Sequence, residues 1–204
     1  MLKIYHVPGT RSIRVIWLCE ELGIPYQPVR IEFSPEYRAS KEWRSLNPVG
    51  KVPVLQIDDF TMFESGAMVQ HILDWHRPTP LEPERATREH ALYLQWSWFA
   101  EATFARPIGE IVNHRRSFPG NEIPAVVDEM RRRAKLCADA VDGAVAGRDY
   151  LLGDQFTAAD IMMGYTLLIY RRLVTPELPP NLERYWSRMG ERPAFKATMA
   201  ANES

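Results

Sequence analysis

The chain has 204 residues, 46% apolar and 25% charged, with a formal net charge of −1, an ordinary balance for a globular protein. That charge points to neither nucleic acid nor an anionic membrane, and no stretch approaches the ~18 continuous apolar residues of a membrane span. Residues 2–6 predict a short strand, and 12–22 a helix stopped by Gly23 and Pro25. Residues 27–33 read as a second strand and 36–46 as a weaker helix. Strands at 53–57 and 61–63 flank an Asp58-Asp59 hairpin signal, and a helix runs from 64 towards 76. The order β-α-β-α-β-β-α implies a parallel pair joined by a crossover, then an antiparallel hairpin.

The pattern changes after residue 76. Three prolines in residues 77–83 make a stiff, extended connector, and beyond it the text is helical, over 85–112 and 124–146. At 156–160, Thr157 and Asp160 have capping-box spacing, with Phe156 and Ile161 in the staple positions. Two shorter helices follow at 182–190 and 193–201. The expected organisation is an α/β domain over 1–77, a linker over 78–86 and an all-helical domain over 87–204.

Two cysteines without CxxC or CxxH spacing argue against disulfides and zinc. Cys19 lies with Val15, Leu18 and Leu22 on one helical stripe and reads as a buried thiol. The five histidines form no ligand pattern, so no metal is expected. The first residues lack a signal-peptide pattern, and a reducing cytoplasm is the expected compartment. In "NPVGKVPVL", residues 47–55, Pro53 precedes a strand-like run. Proline cannot donate to a ladder, so Pro53 either opens an edge strand or follows a cis bond that turns the Val52 main chain outward; the residues leave both open.

The segments "PGTRSIRVIWLCEELGIPY", "LNPVGKVPVL", "FESGAMVQHIL" and "LLGDQFTAADI", in this order across nearly the whole chain, resemble the cytosolic glutathione transferases, of serine-like type with the class unresolved. The resemblance implies a thioredoxin-like first domain and a helical second one, with glutathione as co-substrate and detoxification as the setting. It implies that the bond before Pro53 is cis and that Val52 pairs its main chain with the cysteinyl unit, a form of β-augmentation. Ser65 would take the γ-glutamyl carboxylate at a helix start and Glu64 the ammonium, although locally the pair reads equally as a cap and a first-turn acid. Lys51 and Arg38 match positions where the family places basic groups near the glycyl carboxylate, and Arg11 is a further candidate for binding glutathione; Arg38 reads also as a solvated side chain and Arg11 as a helix-start one.

The chemistry needs a thiolate, which a helix N-terminus favours. Thr10 and Ser12 are the candidate hydroxyls. The family more often has serine at position 10, and Tyr5 is a third option that reads also as a plain strand aromatic. The resemblance further implies a pocket for a small apolar electrophile between the domains, with Trp98, Phe104, Ile108 and Val112 as candidate walls, and an isologous homodimer. The leading expectation is conjugation of glutathione to the electrophile. Glutathione-dependent disulfide or peroxide reduction, isomerisation, and a non-catalytic adaptor role are the alternatives.

Overall fold

The computed structural model describes residues Met1–Glu203, which form two compact units. The first holds residues 1–79 together with the segment from Gly190 onward, and the second spans Pro80–Met189.

The first unit has a four-stranded sheet of order β2-β1-β3-β4, from β1 (Leu2–His6), β2 (Tyr26–Arg30), β3 (Val54–Ile57) and β4 (Phe60–Phe63). β1 and β2 are parallel and the other two pairings antiparallel. Pro28 lies within β2, an edge strand where its missing N–H leaves no gap in the ladder. Helix α1 (Ser12–Leu22) links β1 to β2 and ends at Gly23, whose φ of 65° suits glycine. The weak helix expected over 36–46 is two short helices, α2 (Pro35–Ala39) and α3 (Lys41–Leu46). The break falls at Ser40, whose side chain accepts from Trp43 N–H, as Ser34 accepts from Tyr37 N–H. Helix α4 (Ser65–Trp75) follows β4.

Every residue of α1 from Ser12 to Cys19 is buried, where the sequence indicated only a stripe. A helix buried all round needs neighbours on every side; besides β1 and α4, the other neighbour is α10 (Pro193–Glu203), numbered in chain order. Phe195 packs on Trp17 at 4.7 Å between ring centroids, and Arg192 holds Glu21 through two 2.6 Å hydrogen bonds. Burying a ring such as Phe195 contributes about 1.5–3 kcal/mol. This packing places the segment from Gly190 with the first unit, where the sequence predicts a helical domain over all of 87–204.

The second unit contains α5 (Arg88–Trp98), a π-helical segment (Phe99–Phe104), α6 (Ala105–Ser117), α7 (Pro124–Ala144), α8 (Ala158–Leu173) and most of α9 (Pro180–Glu191). One continuous helix was expected over 85–112. The widened turns have a local cause: Pro107 has no N–H for the Thr103 carbonyl and its ring crowds that position. The freed Thr103 O takes the Cys137 thiol at 3.9 Å, and Ala100 O, which accepts from Ala105 N–H, also takes the Thr166 hydroxyl at 3.1 Å. At the start of α8 the expected capping box is present, and its Asp160 is fully buried.

Candidate functional site

Strand direction gathers three segments of the first unit at one end of the sheet. Tyr5, near the end of β1, pairs with Val54 at the start of β3, and Val54 pairs with Phe63 at the end of β4. The loop after β1 (residues 7–11), the Val52–Pro53 step and the Glu64–Ser65 start of α4 therefore lie side by side.

In the first segment, the Thr10 hydroxyl lies 2.7 Å from the Val7 carbonyl oxygen, which can only accept. Its single hydrogen is thus given to Val7, and the 2.9 Å contact between Thr10 and Ser12 is donated by Ser12. Thr10 is half-buried and Ser12 fully buried, so only Thr10 presents oxygen to a ligand. Arg11 stands at the N-cap of α1 and supplies no side-chain cap. Gly9, with φ 75°, gives its N–H to Asn202 Oδ1 of α10 at 3.1 Å. His6 ends β1 with 1% exposure, and its Nδ1 has no hydrogen-bond partner among the described residues. Burial, with Arg30 nearby, lowers its pKa. Tyr5 donates to Gln56 Oε1 at 3.0 Å and meets Trp43 edge-on, as a strand aromatic does.

In the second segment, the Val52–Pro53 bond is cis, as is Arg77–Pro78. Pro53 is buried, Val52 half-buried, and among the described residues no backbone hydrogen bond engages the Val52 main chain. The preceding turn is fixed from several sides. Buried Asn47 accepts from Val49 N–H and donates to Lys51 O, while Arg44 donates to Pro48 O. Arg38 Nε donates to Gly50 O at 3.1 Å, and its guanidinium lies over Phe33. Gly50 has φ 62°, and a Cβ there would come within 2.7 Å of Arg38 O, so glycine is required on both counts. Lys51 itself is exposed.

In the third segment, exposed Glu64 has φ 77° and ψ 102°, which L-residues rarely adopt. Ser65, 4% exposed, receives a 3.3 Å hydrogen bond from Nη1 of Arg14, itself fully buried. This places a guanidinium behind the N-terminus of α4, and both favour an anion there. Burial, with Glu20 nearby, pushes the Cys19 thiol up to about 12, leaving it protonated and unreactive.

Of the four candidate wall residues, Trp98 is exposed and Val112 partly so. Phe104 and Ile108 have no exposed surface and pack in the core of the second unit, Phe104 against the Tyr170 ring. Sequence reasoning missed Arg14 and Asn202 as parts of the site. A charge inside the apolar run Ile13–Leu18 was a usable signal for Arg14. None existed for Asn202, whose partner is 193 positions away.

Residues 1–74 match the family described as "Glutathione S-transferase, N-terminal domain", and residues 105–193 match "Glutathione S-transferase, C-terminal domain". Glutathione S-transferase 3 of Schizosaccharomyces pombe is 27% identical, over 96% of this chain and 86% of its own length. Elongation factor 1-gamma 1 of rice is 29% identical over 87% of this chain and 44% of its own. Among solved structures, the glutathione transferase URE2P6 from Phanerochaete chrysosporium, in complex with oxidised glutathione, superposes with a TM-score of 0.87 at 20% identity, over 99% of this chain and 96% of its own. At that identity the likeness is one of fold: a thioredoxin-like domain with a mixed four-stranded sheet, then a helical domain.

Proposed function

Since the chain belongs to the glutathione S-transferase family, we propose that it binds glutathione at the sheet end of its first unit and transfers the sulfur to a small apolar electrophile. The observation that carries this reading is the convergence of an uncapped helix N-terminus, an unengaged strand-like main chain and an anion-favouring helix start at one end of the sheet. Val52 offers an N–H and a C=O to the cysteinyl unit. Ser65, backed by Arg14, suits the γ-glutamyl carboxylate, and the unusual conformation of Glu64 sets its carboxylate beside that point for the ammonium. Lys51 and Arg11 serve the remaining carboxylate, while Arg38 acts by holding the Gly50 turn.

The thiol then lies at the N-terminus of α1. Thr10 turns its O–H from Val7 O to the sulfur; Val7 O keeps the Thr10 N–H, 3.3 Å away, so the exchange strands no buried carbonyl. Ser12 continues to donate to Thr10, making Thr10 the stronger donor. With the thiol proton released to solvent, the thiolate attacks an electrophilic carbon. A C–S bond forms, and the leaving group departs with its electron pair, as chloride from an aryl chloride. Exposed Phe60, Phe63 and Trp75 suit the apolar face of an isologous homodimer, which sedimentation at micromolar concentration tests.

Calorimetric titration with glutathione, followed by an aryl-chloride conjugation assay, tests the reading. Binding at or below millimolar concentration with turnover is expected, and no binding at that level rejects it. Two observations favour a second reading: the hydroxyl proton of Thr10 is already committed to Val7, and elongation factor 1-gamma 1 of rice is a relative. An adaptor would bind glutathione without turning it over.

A further inference from the structure

We propose that Asn202 on α10 is a positioning residue for Thr10, so that α10 serves the active loop as well as the core; this rests on the transferase reading above. In the loop between β1 and α1, the Gly9 amide finds no acceptor in its own turn. Thr10 N–H and the Thr10 hydroxyl both go to Val7 O, and Ile13 and Arg14 N–H go back to Thr10 O and Arg11 O. Gly9 N–H, in the left-handed region, faces away from these acceptors and is taken by Asn202 Oδ1 at 3.1 Å. Asn202 is 5% exposed and Gly9 half-buried, so water replaces the amide oxygen only in part, and without it this N–H loses its one protein acceptor among the described residues.

Asn202 is itself held from a distance. α10 is tied to α1 near its own start by Arg192 and Glu21, then by Phe195 on Trp17, and reaches the loop through Asn202. The helix is thus fixed along α1, and its contact through Asn202 sets the Pro8–Gly9 peptide plane, one residue before Thr10. Because a hydroxyl stabilises a thiolate only at hydrogen-bond distance and angle, a loose Gly9 peptide disperses the position of Thr10 while glutathione is still held by Val52 and Ser65. The effect therefore falls on thiol ionisation and kcat, with little on the KM for glutathione.

The test compares Asn202→Leu, which keeps volume and loses the acceptor, with Asn202→Asp, which keeps the acceptor. For the leucine variant the kinetic pKa of the bound thiol is expected to rise by about one unit and kcat with an aryl chloride to fall about tenfold, with KM for glutathione within twofold. Measured above the thiol titration, where the added charge no longer matters, the aspartate variant should recover wild-type kcat and slow exchange of the Gly9 amide. Arg192→Gln removes one tie at the far end of α10 while the Phe195–Trp17 packing and the Asn202 bond still hold the helix on α1, so it should lower Tm without moving the pKa. If the leucine variant does not fold, Asn202→Ser, whose hydroxyl falls short of Gly9, must show the same pKa rise. A wild type that conjugates glutathione beside an acceptor-less variant with unchanged pH profile and kcat overturns the role of Asn202 and leaves the transferase reading standing. A wild type that binds no glutathione overturns both.

Discussion

At the start of α8, Thr157 and Asp160 close every hydrogen bond within the protein. The Asp160 carboxylate accepts from Leu151 N–H, Thr157 N–H, the Thr157 hydroxyl and the Tyr185 hydroxyl, with no exposed surface. At the start of α1 the same kinds of residue stand, Thr10 and Ser12, but no acid follows at the capping-box position and Arg11 supplies no cap. Its hydroxyls are spent on the loop, and the positive end of the helix is left for something else. The difference teaches that a helix start sealed by its own side chains holds the fold, whereas one left unsealed is available to an anion.

The largest effect should come from unsealing the sealed end. Asp160→Ala leaves two buried amides and the Tyr185 hydroxyl without their acceptor and should cost about 3–5 kcal/mol of unfolding free energy in urea. A loss below about 1 kcal/mol would show that α8 does not depend on this carboxylate. Thr10→Ala is the counterpart at the open end. It should lower kcat/KM at neutral pH by roughly 10²-fold while shifting unfolding free energy by less than about 0.5 kcal/mol. Equal effects of the two substitutions on stability would erase the distinction.

Between them stands Asp142 of α7, which accepts from Asn181 and Leu182 N–H at the start of α9, a cap supplied from 39 positions away. Partial burial raises its pKa, but the hydrogen bonds from Asn181 and Leu182 outweigh this, and the net shift is downward. A depressed carboxylate contributes stability that is present above its unfolded pKa of about 3.9 and is lost as pH falls through the folded value. Asp142→Ala should cost about 1 kcal/mol at pH 7 and progressively less below pH 4, as denaturation at several pH values will show. His6 gives the smallest effect. Burial favours its neutral form, so the folded state loses stability as pH drops below about 6.5. His6→Gln should flatten that part of the curve, and an unchanged slope would assign it to other groups.

Much of this was legible in local text. Gly23 stops α1 because only glycine sits easily at φ 65°, and the spacing of Thr157 and Asp160 announces a sealed helix start. Ser34-Pro-Glu-Tyr followed by Ser40-Lys-Glu-Trp also carries two cap signals, neither of which enters the single weak helix read over 36–46. Pro107 sits inside a strong apolar period, and the donor that meets the Thr103 carbonyl comes from Cys137 of α7, which no local window contains. The burial of α1 on every side follows from β1, α4 and α10 all packing on it, and the α10 contact is a long-range packing without a sequence pattern. For the site, residue types were readable, and the division of labour between Thr10 and Ser12 was not: it depends on which hydroxyl α10 and the sheet leave uncovered.

The most direct test is a spectroscopic titration of glutathione bound to the protein, following thiolate absorbance in the wild type and in Thr10→Ala. The account predicts that the bound thiol of the wild type titrates well below the free value of about 8.5 and that the substitution moves it back up. A wild-type thiol that titrates at the free value, unchanged by removing the hydroxyl, would contradict it.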